Sequence, residues 1–302
     1  MLKYVLKRLG YILVTLWVIV TCTFFMMKNL PGTPFDAERF SIMTPQQQER
    51  VLEMYGLNDS LPMQYVKYIK NMLKGDLGTS FTYVNQDVSK VITGRLGPSA
   101  LIGIQAVLIG LAIGLILGIL AAWKHNSGID YFTMILAVLG VSVPNFVAAA
   151  LLQYYIGLKW GALPVGFWTG WNCSVLPSIA LSFSATAMVA RFMRTEMLDV
   201  LDQDYIVTAR AKGLSQMKVL MRHAVRNSIL PVVTILGPIV VNLMTGSLAV
   251  ENIFSIPGIG SLFVDCIKAN DYPVIMGITI FYAAFYMLIV LLVDLAYSLI
   301  DP

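Results

Sequence analysis

Six stretches of the chain contain no Asp, Glu, Lys, Arg or His: residues 9–27, 96–123, 131–158, 160–190, 227–250 and 272–293. Crossing the hydrocarbon core of a bilayer takes roughly 20 mostly apolar residues. Within lipid, a single segment satisfies its own backbone polar groups only as a helix. Each stretch therefore supplies one helix, and the chain reads as an all-α integral membrane protein with six transmembrane helices. The fourth stretch opens with GALPVGFWTGWNCSVLPS, a turn-rich run that moves the helix start to near Leu176 and lets it pass Arg191. Composition agrees: 57% of residues are hydrophobic and only 13% charged, where soluble domains carry about a quarter charged.

Lys and Arg set the orientation, because short cytoplasmic loops hold them in excess. With the N-terminus inside, the inner segments hold eleven: Lys3, Lys7, Arg8, Lys124, Arg191, Arg194, Arg210, Lys212, Lys218, Arg222 and Arg226. The short outer loops hold only Lys159 and Lys268. The long loop over 28–95 carries eight more against seven acids, but long loops cross largely regardless of charge. Both termini are expected in the cytoplasm. The net charge of +4 then reads as an insertion signal and not as a nucleic-acid surface. Lys3, Lys7 and Arg8 precede an apolar run without a small-x-small cleavage pattern, which reads as a retained signal anchor. Cys22 falls in the first span; Cys173 and Cys266 fall in outer loops, where a disulfide between them stays open.

The long outer loop carries the marks of short amphipathic helices. Thr44-Pro45-Gln46-Gln47 reads as an N-cap, a proline at the first helical position and a capping-box glutamine, with a helix to Tyr55 and a stop at Gly56. A second helix follows Ser60-Leu61-Pro62, spaces Tyr65, Ile69 and Met72 along its faces, and ends at Gly75. A third is expected over about 86–93. This region either caps the helix ends or docks a partner. In the second span Ala106, Gly110, Gly114 and Gly118 recur every four residues, a small-residue face suited to close packing in lipid. Pro144 and Gly237-Pro238 mark kinks in the third and fifth spans. Two parts result: 1–94, the first helix with its outer helical loop, and 95–302, a core of five helices.

Catalytic signatures are missing. Gly-Lys never occurs, which removes the phosphate-binding loop G-x-x-x-x-G-K-[ST], and H-E-x-x-H, C-x-x-C and G-x-S-x-G are absent too. His125 and His223 lie in inner loops among basic residues, as a solvated face would. Asp294 sits toward the inner end of the last helix, where pairing or capping suits it better than transport chemistry. No catalytic residue and no metal site is expected. If the chain does energised work, the energy enters from another subunit.

One inner segment stands apart from all this apolar chain. Residues 209–231 read ARAKGLSQMKVLMRHAVRNSILP and hold Arg210, Lys212, Lys218, Arg222, His223 and Arg226. Asp202 and Asp204 supply acids at a helix start. Tyr205 to Lys212 forms that helix, with Thr208 on it and the small residues Ala209 and Ala211. Gly213 follows Lys212 as a left-handed cap, and Leu214 leads to Ser215, which can cap a second helix. The segment therefore folds as helix, glycine turn, helix: a knob suited to a partner's cleft, or a basic loop facing anionic headgroups.

These residues resemble a known family. TARAKGLS followed by HAVRNSILP is similar to the cytoplasmic loop of binding-protein-dependent ABC importer permeases, with Val207 and Thr208 standing where the commoner pattern has Glu-Ala. The stretches YGLNDSLPMQYVKYIKNMLKGDLGTSF at 55–81 and ENIFSIPGIGSLF at 251–263, with SLIDP at the end of the chain, resemble the peptide and nickel branch of that family, most closely the first membrane subunit of an oligopeptide permease. The resemblance covers essentially the whole chain. It implies the type I ABC importer transmembrane fold and a subunit that moves oligopeptides, with dipeptides or nickel as alternatives. The implied partners are a second homologous permease subunit, two ATPase subunits, an extracytoplasmic peptide-binding protein and the bilayer. No cofactor is implied on this chain; ATP and Mg belong to the ATPases. Tyr205, Thr208, Ala209, Arg210, Ala211, Lys212, Gly213 and Leu214 would form the ATPase-coupling loop, within about 196–231. Ile256, Pro257, Gly258, Ile259 and Gly260 would line an outer gate whose Pro and Gly residues hold an irregular backbone. The rival classes are a passive channel or carrier, and a membrane assembly protein without transport.

Overall fold

The computed structural model describes residues 2–29, 40, 42–54, 56–83, 86–245 and 248–300. Among these the regular structure is helical, apart from one bridge between Thr79 and Asp87. We number the helices α1 (Leu2–Lys28), α2 (Pro45–Met54), α3 (Leu61–Met72), α4 (Val88–Trp123), α5 (Gly128–Ser142), α6 (Asn145–Leu152), α7 (Val175–Leu201), α8 (Asp204–Ala211), α9 (Gln216–Val219), α10 (Arg226–Thr245), α11 (Leu248–Ile253), α12 (Ile259–Lys268) and α13 (Tyr272–Ile300). Leu6–Lys28, Val88–Trp123, Trp171–Leu201, Gln216–Leu243 and Tyr272–Leu295 are each long and apolar enough to cross a membrane. Gly128–Ser142 and Asn145–Lys159 make a sixth crossing if the bent pair is one span.

Two expectations need correction. The third span is not one kinked helix: it breaks by 99° at Pro144. Val143, the residue before that proline, is extended at φ −81, ψ 117, the conformation a following proline favours. Nor is there a separate helix over 86–93. Val88 instead opens a continuous 36-residue helix that passes through Pro98, and surrounding groups in a membrane bundle make such an internal proline tolerable. The fourth span follows its reading, with a short 3-10 turn at Trp171–Ser174 and then α7, which runs beyond Arg191 to Leu201.

The chain forms two compact units, 1–97 with 261–287 and 98–260 with 288–302. In the first, α3 docks on the end of α1 through aromatic rings. Phe24 sits 5.4 Å from Tyr65 and 5.7 Å from Tyr68, Phe25 stacks on Tyr65, and the Thr21 and Tyr65 hydroxyls hydrogen-bond at 2.7 Å. The Thr44–Gln47 capping box forms in both directions, with Thr44 N donating to Gln47 Oε1 and Gln47 N to Thr44 Oγ1. Tyr55, where α2 was expected to end, and Asp301 and Pro302 lie outside the described residues. Asp271, fully buried, gathers donations from Ser80 Oγ and from the Phe81 and Thr82 amides. That holds the turn after α3 to the start of α13.

The second unit is built around α7, half of whose buried residues are Ala or Ser: Ser178, Ala180, Ser182, Ala185, Ala187 and Ala190. Small residues let neighbours come close, which is how helices gain contact in lipid. The small-residue face of α4 meets this one. A Cβ on Gly110 would lie 2.6 Å from Ala185 Cβ, one on Gly114 2.7 Å from Val189 Cβ, and one on Gly118 2.7 Å from Ala190 O. The packing reading of that stripe is correct, and its glycines are there for space. On α10, Gly237 likewise faces Val293 of α13, 2.7 Å from where its Cβ would stand. All three cysteines are free thiols.

Candidate functional site

The knob over 204–225 is a helix, a glycine turn and a second helix, as expected. Acidic Asp204 opens α8. Gly213 has φ +74, the left-handed conformation that glycine adopts without penalty. Around it the chain closes a Schellman motif: Leu214 N donates to Ala209 O and Gly213 N to Arg210 O. Ser215 has the extended backbone of an N-cap but makes no side-chain capping bond, so the turn rests on the glycine. From α9 the backbone widens into a π-helical turn, Leu220–Val225, before α10.

The knob is anchored at its base, where Leu220 and Ala224 join the main core of the second unit. Ile206, Ala209 and Val219 are buried together against Val200 and Leu201, and the Asn227 amide donates to the Tyr205 hydroxyl at 3.0 Å. The tip between them looks outward. Thr208, Arg210, Ala211, Lys212, Gly213 and Leu214 are exposed. So are Val207 at 60%, Met217 at 51% and Met221 at 52%. The structure thus brings the eight expected coupling residues onto one projection, with Ala209 as its foot rather than its tip. Methionines and a valine left open beside Arg210, Lys212, Lys218 and Arg222 make a surface with apolar and cationic character together.

The loop of Ile256, Pro257, Gly258, Ile259 and Gly260 is packed inside the second unit: Ile256 and Ile259 are buried at 2% and 1%, as are both glycines. At its centre lies Glu251 of α11, with no exposure. Ser99 of α4 donates its hydroxyl to Glu251 Oε1 at 2.7 Å, and the Ile259 amide donates to Ser99 Oγ at 2.8 Å. A Cβ on Gly258 would overlap the Glu251 carboxyl group and stand 2.5 Å from Ser99 Oγ; one on Gly260 would stand 2.9 Å from Glu251 Oε2. Neither glycine has a positive φ; the left-handed residue here is Ser255, at φ +51. Gly258 and Gly260 are therefore required for close approach to a carboxylate, not for an irregular backbone. The neighbouring loop is tied in through Phe167, whose amide donates to Phe254 O at 2.8 Å, and through Gln153, whose side chain donates to Val165 O and Ile253 O.

Residue reading missed a third cluster. Asp130, 2% exposed in the first turn of α5, receives both Nε and Nη2 of Arg194 on α7, at 2.6 and 2.8 Å. The Asn126 amide also donates to it, and His125 Nδ1 lies 3.2 Å from its Oδ2. His125, itself exposed, thus borders the buried Asp130 and is not only a solvated loop residue. In the first unit, burial, reinforced by the Asp271 and Asp265 carboxylates, pushes the Cys266 thiol up to about 12. Among the described residues no group of three His, Cys, Asp or Glu side chains could hold a metal ion.

Several apolar spans, and in the second unit a close-packed helix α7 followed by an amphipathic knob, define a multi-pass membrane protein. The particular family follows from comparison with known proteins. The chain belongs to the binding-protein-dependent transport system inner membrane component family, whose model matches residues 114–302, while the model of the family's N-terminal component matches 1–96. It is 46% identical over 302 residues to a dipeptide transport system permease protein of Lactococcus lactis, covering 100% of this chain and 99% of that one. To an oligopeptide transport system permease protein of Salmonella typhimurium it is 39% identical, again over 100% and 99% of the two chains. Among solved structures, the inward-facing MetNI methionine ABC transporter matches with a TM-score of 0.54 at 13% identity, over 70% of this chain and 95% of that one. An amino acid ABC transporter with histidines matches with a TM-score of 0.53 at 19% identity, over 70% and 94%. The fold is that of ABC importer transmembrane subunits, and the protein is a multi-pass cell-membrane permease subunit.

Proposed function

We propose that this chain is one membrane subunit of an ATP-driven peptide importer, and that its knob is where ATP-dependent closure of partner ATPases enters the membrane. The observation that carries this is the knob itself. A loop meant only for water would not leave Val207, Met217 and Met221 open, and a loop buried in lipid would not carry Arg210, Lys212, Lys218 and Arg222 beside them. A partner's cleft suits both. Tyr205, Thr208, Arg210, Ala211, Lys212, Gly213 and Leu214 face that cleft, and Ala209 seats the knob on α7. Mg and ATP bind in two ATPase subunits. A second permease subunit completes the pathway, and an extracytoplasmic binding protein delivers the peptide. The loop of Ile256, Pro257, Gly258, Ile259 and Gly260 shapes the outer end of that pathway.

Peptide as substrate rests on the relatives' names. Dipeptide permeases at 46% and 42% identity support two-residue cargo, and oligopeptide permeases at 38–39% support longer cargo. Uptake of labelled peptides of graded length, with nickel uptake as control, decides between them.

The test of coupling is Gly213→Val. A Cβ there meets nothing within 4 Å, so the whole effect is backbone: a left-handed residue other than glycine costs about 1–2 kcal/mol. The reconstituted complex should keep its chain abundance and orientation but lose peptide uptake, with ATP hydrolysis no longer stimulated by loaded binding protein. Wild-type uptake per ATP hydrolysed in this variant would remove the knob from the mechanism.

A further inference from the structure

Burying a hydroxyl without a hydrogen-bond partner is costly, so one that persists calls for a reason. The Tyr68 hydroxyl on α3 is buried and has no partner among the described residues. It lines a cleft of about 330 Å³ that lies wholly within the first unit, a size at the lower end of ligand pockets. Lys28, Glu53 and Asp76 line the same cleft. The Lys28 ammonium lies 5.8 Å over the Phe24 ring, and among the described residues no carboxylate pairs with it.

The depth of the cleft follows from the helices that wall it. Phe24, Met27 and Lys28 come from the last turns of α1, and Tyr272 and Met276 from the first turns of α13. At 1.5 Å per residue the 23 residues Leu6–Lys28 measure about 34 Å, a little more than the roughly 30 Å of hydrocarbon in a bilayer. Lys28 therefore lies at headgroup level, and Phe24 and Met276 stand one turn further into their spans. The spans supply most of the apolar wall, and the segments of α2 and α3 most of the polar one. A phospholipid makes the same change from acyl chain to headgroup.

The charges say which headgroup. A lysine and a hydroxyl donor suit a phosphate. Glu53 and Asp76 beside them would repel a headgroup that is only anionic, but they accept hydrogen bonds from an ammonium. We propose that this cleft binds the zwitterionic headgroup of an aminophospholipid, with Lys28 and the Tyr68 hydroxyl donating to its phosphate and Glu53 and Asp76 accepting from its ammonium. A short peptide also carries both charges, but a peptide free in water does not account for a site at headgroup depth between the ends of two spans. The site is independent of the cargo that the permease carries.

The test uses the purified full chain, stripped of lipid in detergent. It is mixed with equimolar phosphatidylethanolamine and phosphatidylglycerol of identical acyl chains, and retained lipid is counted by native mass spectrometry. One phosphatidylethanolamine should stay on each chain, in about tenfold preference to phosphatidylglycerol. Tyr68→Phe should cut its retention about tenfold, the order of one hydrogen bond to a charged group. The same variant should leave SDS unfolding of the lipid-free chain unchanged, because the hydroxyl has no protein partner to lose; a merely structural tyrosine would shift unfolding and spare retention. Lys28→Met should weaken retention of both lipids, whereas Glu53→Gln combined with Asp76→Asn should abolish the preference between them. Equal retention of the two lipids by the wild-type chain overturns the proposal, as does wild-type retention in Tyr68→Phe. Displacement of the bound lipid by millimolar dialanine would overturn it too, and would assign the cleft to peptide.

Discussion

Gly258→Ala adds one methyl group at the most crowded point of the second unit. Its Cβ would overlap the Glu251 carboxyl group and lie 2.5 Å from Ser99 Oγ, where ordinary contact needs about 3.5 Å or more. Either the loop or the carboxylate has to move. Losing a hydrogen bond to a charged group costs about 1.5–3 kcal/mol, and forcing an extra carbon into a packed core costs about 1–3 kcal/mol, so the sum is about 2.5–6 kcal/mol. The same methyl group on a Glu251→Ala background meets no carboxylate and keeps only the contact with Ser99 Oγ, so it should cost clearly less and leave a coupling energy in the double-mutant cycle. The four proteins can be compared by SDS-driven unfolding of the purified chain, followed by emission from its five tryptophans. If alanine at 258 is equally costly with and without Glu251, the carboxylate does not dictate glycine there, and the close-approach account of Gly258 fails.

Two further outcomes follow from the packing. Only the thiolate of cysteine reacts with maleimides; with the Cys266 thiol at about 12 against an ordinary 9.0, its labelling at pH 8 should be about a thousandfold slower than that of an ordinary exposed cysteine. Its rate should keep climbing tenfold per pH unit beyond pH 9, and a plateau near pH 9 would show an ordinary thiol. Gly114→Ala places a Cβ 2.7 Å from Val189 Cβ and 2.8 Å from Thr186 O, which should destabilise the α4–α7 contact by about 1–3 kcal/mol; unchanged SDS unfolding would show that the seam is slack.

The helices were legible in the sequence because the absence of charge over twenty residues leaves lipid few alternatives. The knob was legible because Gly213 follows a cationic last turn. The clusters were not, and the reason is instructive. Asp130, Glu251 and Asp271 are each buried, yet each is the residue directly flanking an uncharged stretch, before 131, after 250 and before 272. Drawing a span to its first charged residue places that residue outside by construction, in water, as a solvated end. Their partners stand 64, 152 and 191 residues away, for Arg194, Ser99 and Ser80, and no local pattern announces a pairing at that range. The break at Pro144 was read as a bend because a proline alone does not say how far the chain turns. Gly258 and Gly260 were assigned to backbone freedom because the sequence does not show that a carboxylate lies against them.

The seam between α4 and α7 has a mechanical consequence. At 1.5 Å of rise per residue, the 27 residues of α7 measure about 40 Å, close to a bilayer with its headgroups. Long side chains between two helices act as springs, since rotamer changes let one helix shift while the other stays. Here the α4 side of the seam is glycine, which offers no such give, and Val189 and Met193 of α7 are held against it near their Cβ atoms. Helices meshed through Gly110, Gly114 and Gly118 must advance together or jump by a whole turn. A thrust applied where α7 meets α8 therefore reaches the far end of the seam as displacement, with little of it absorbed on the way, as in a push rod.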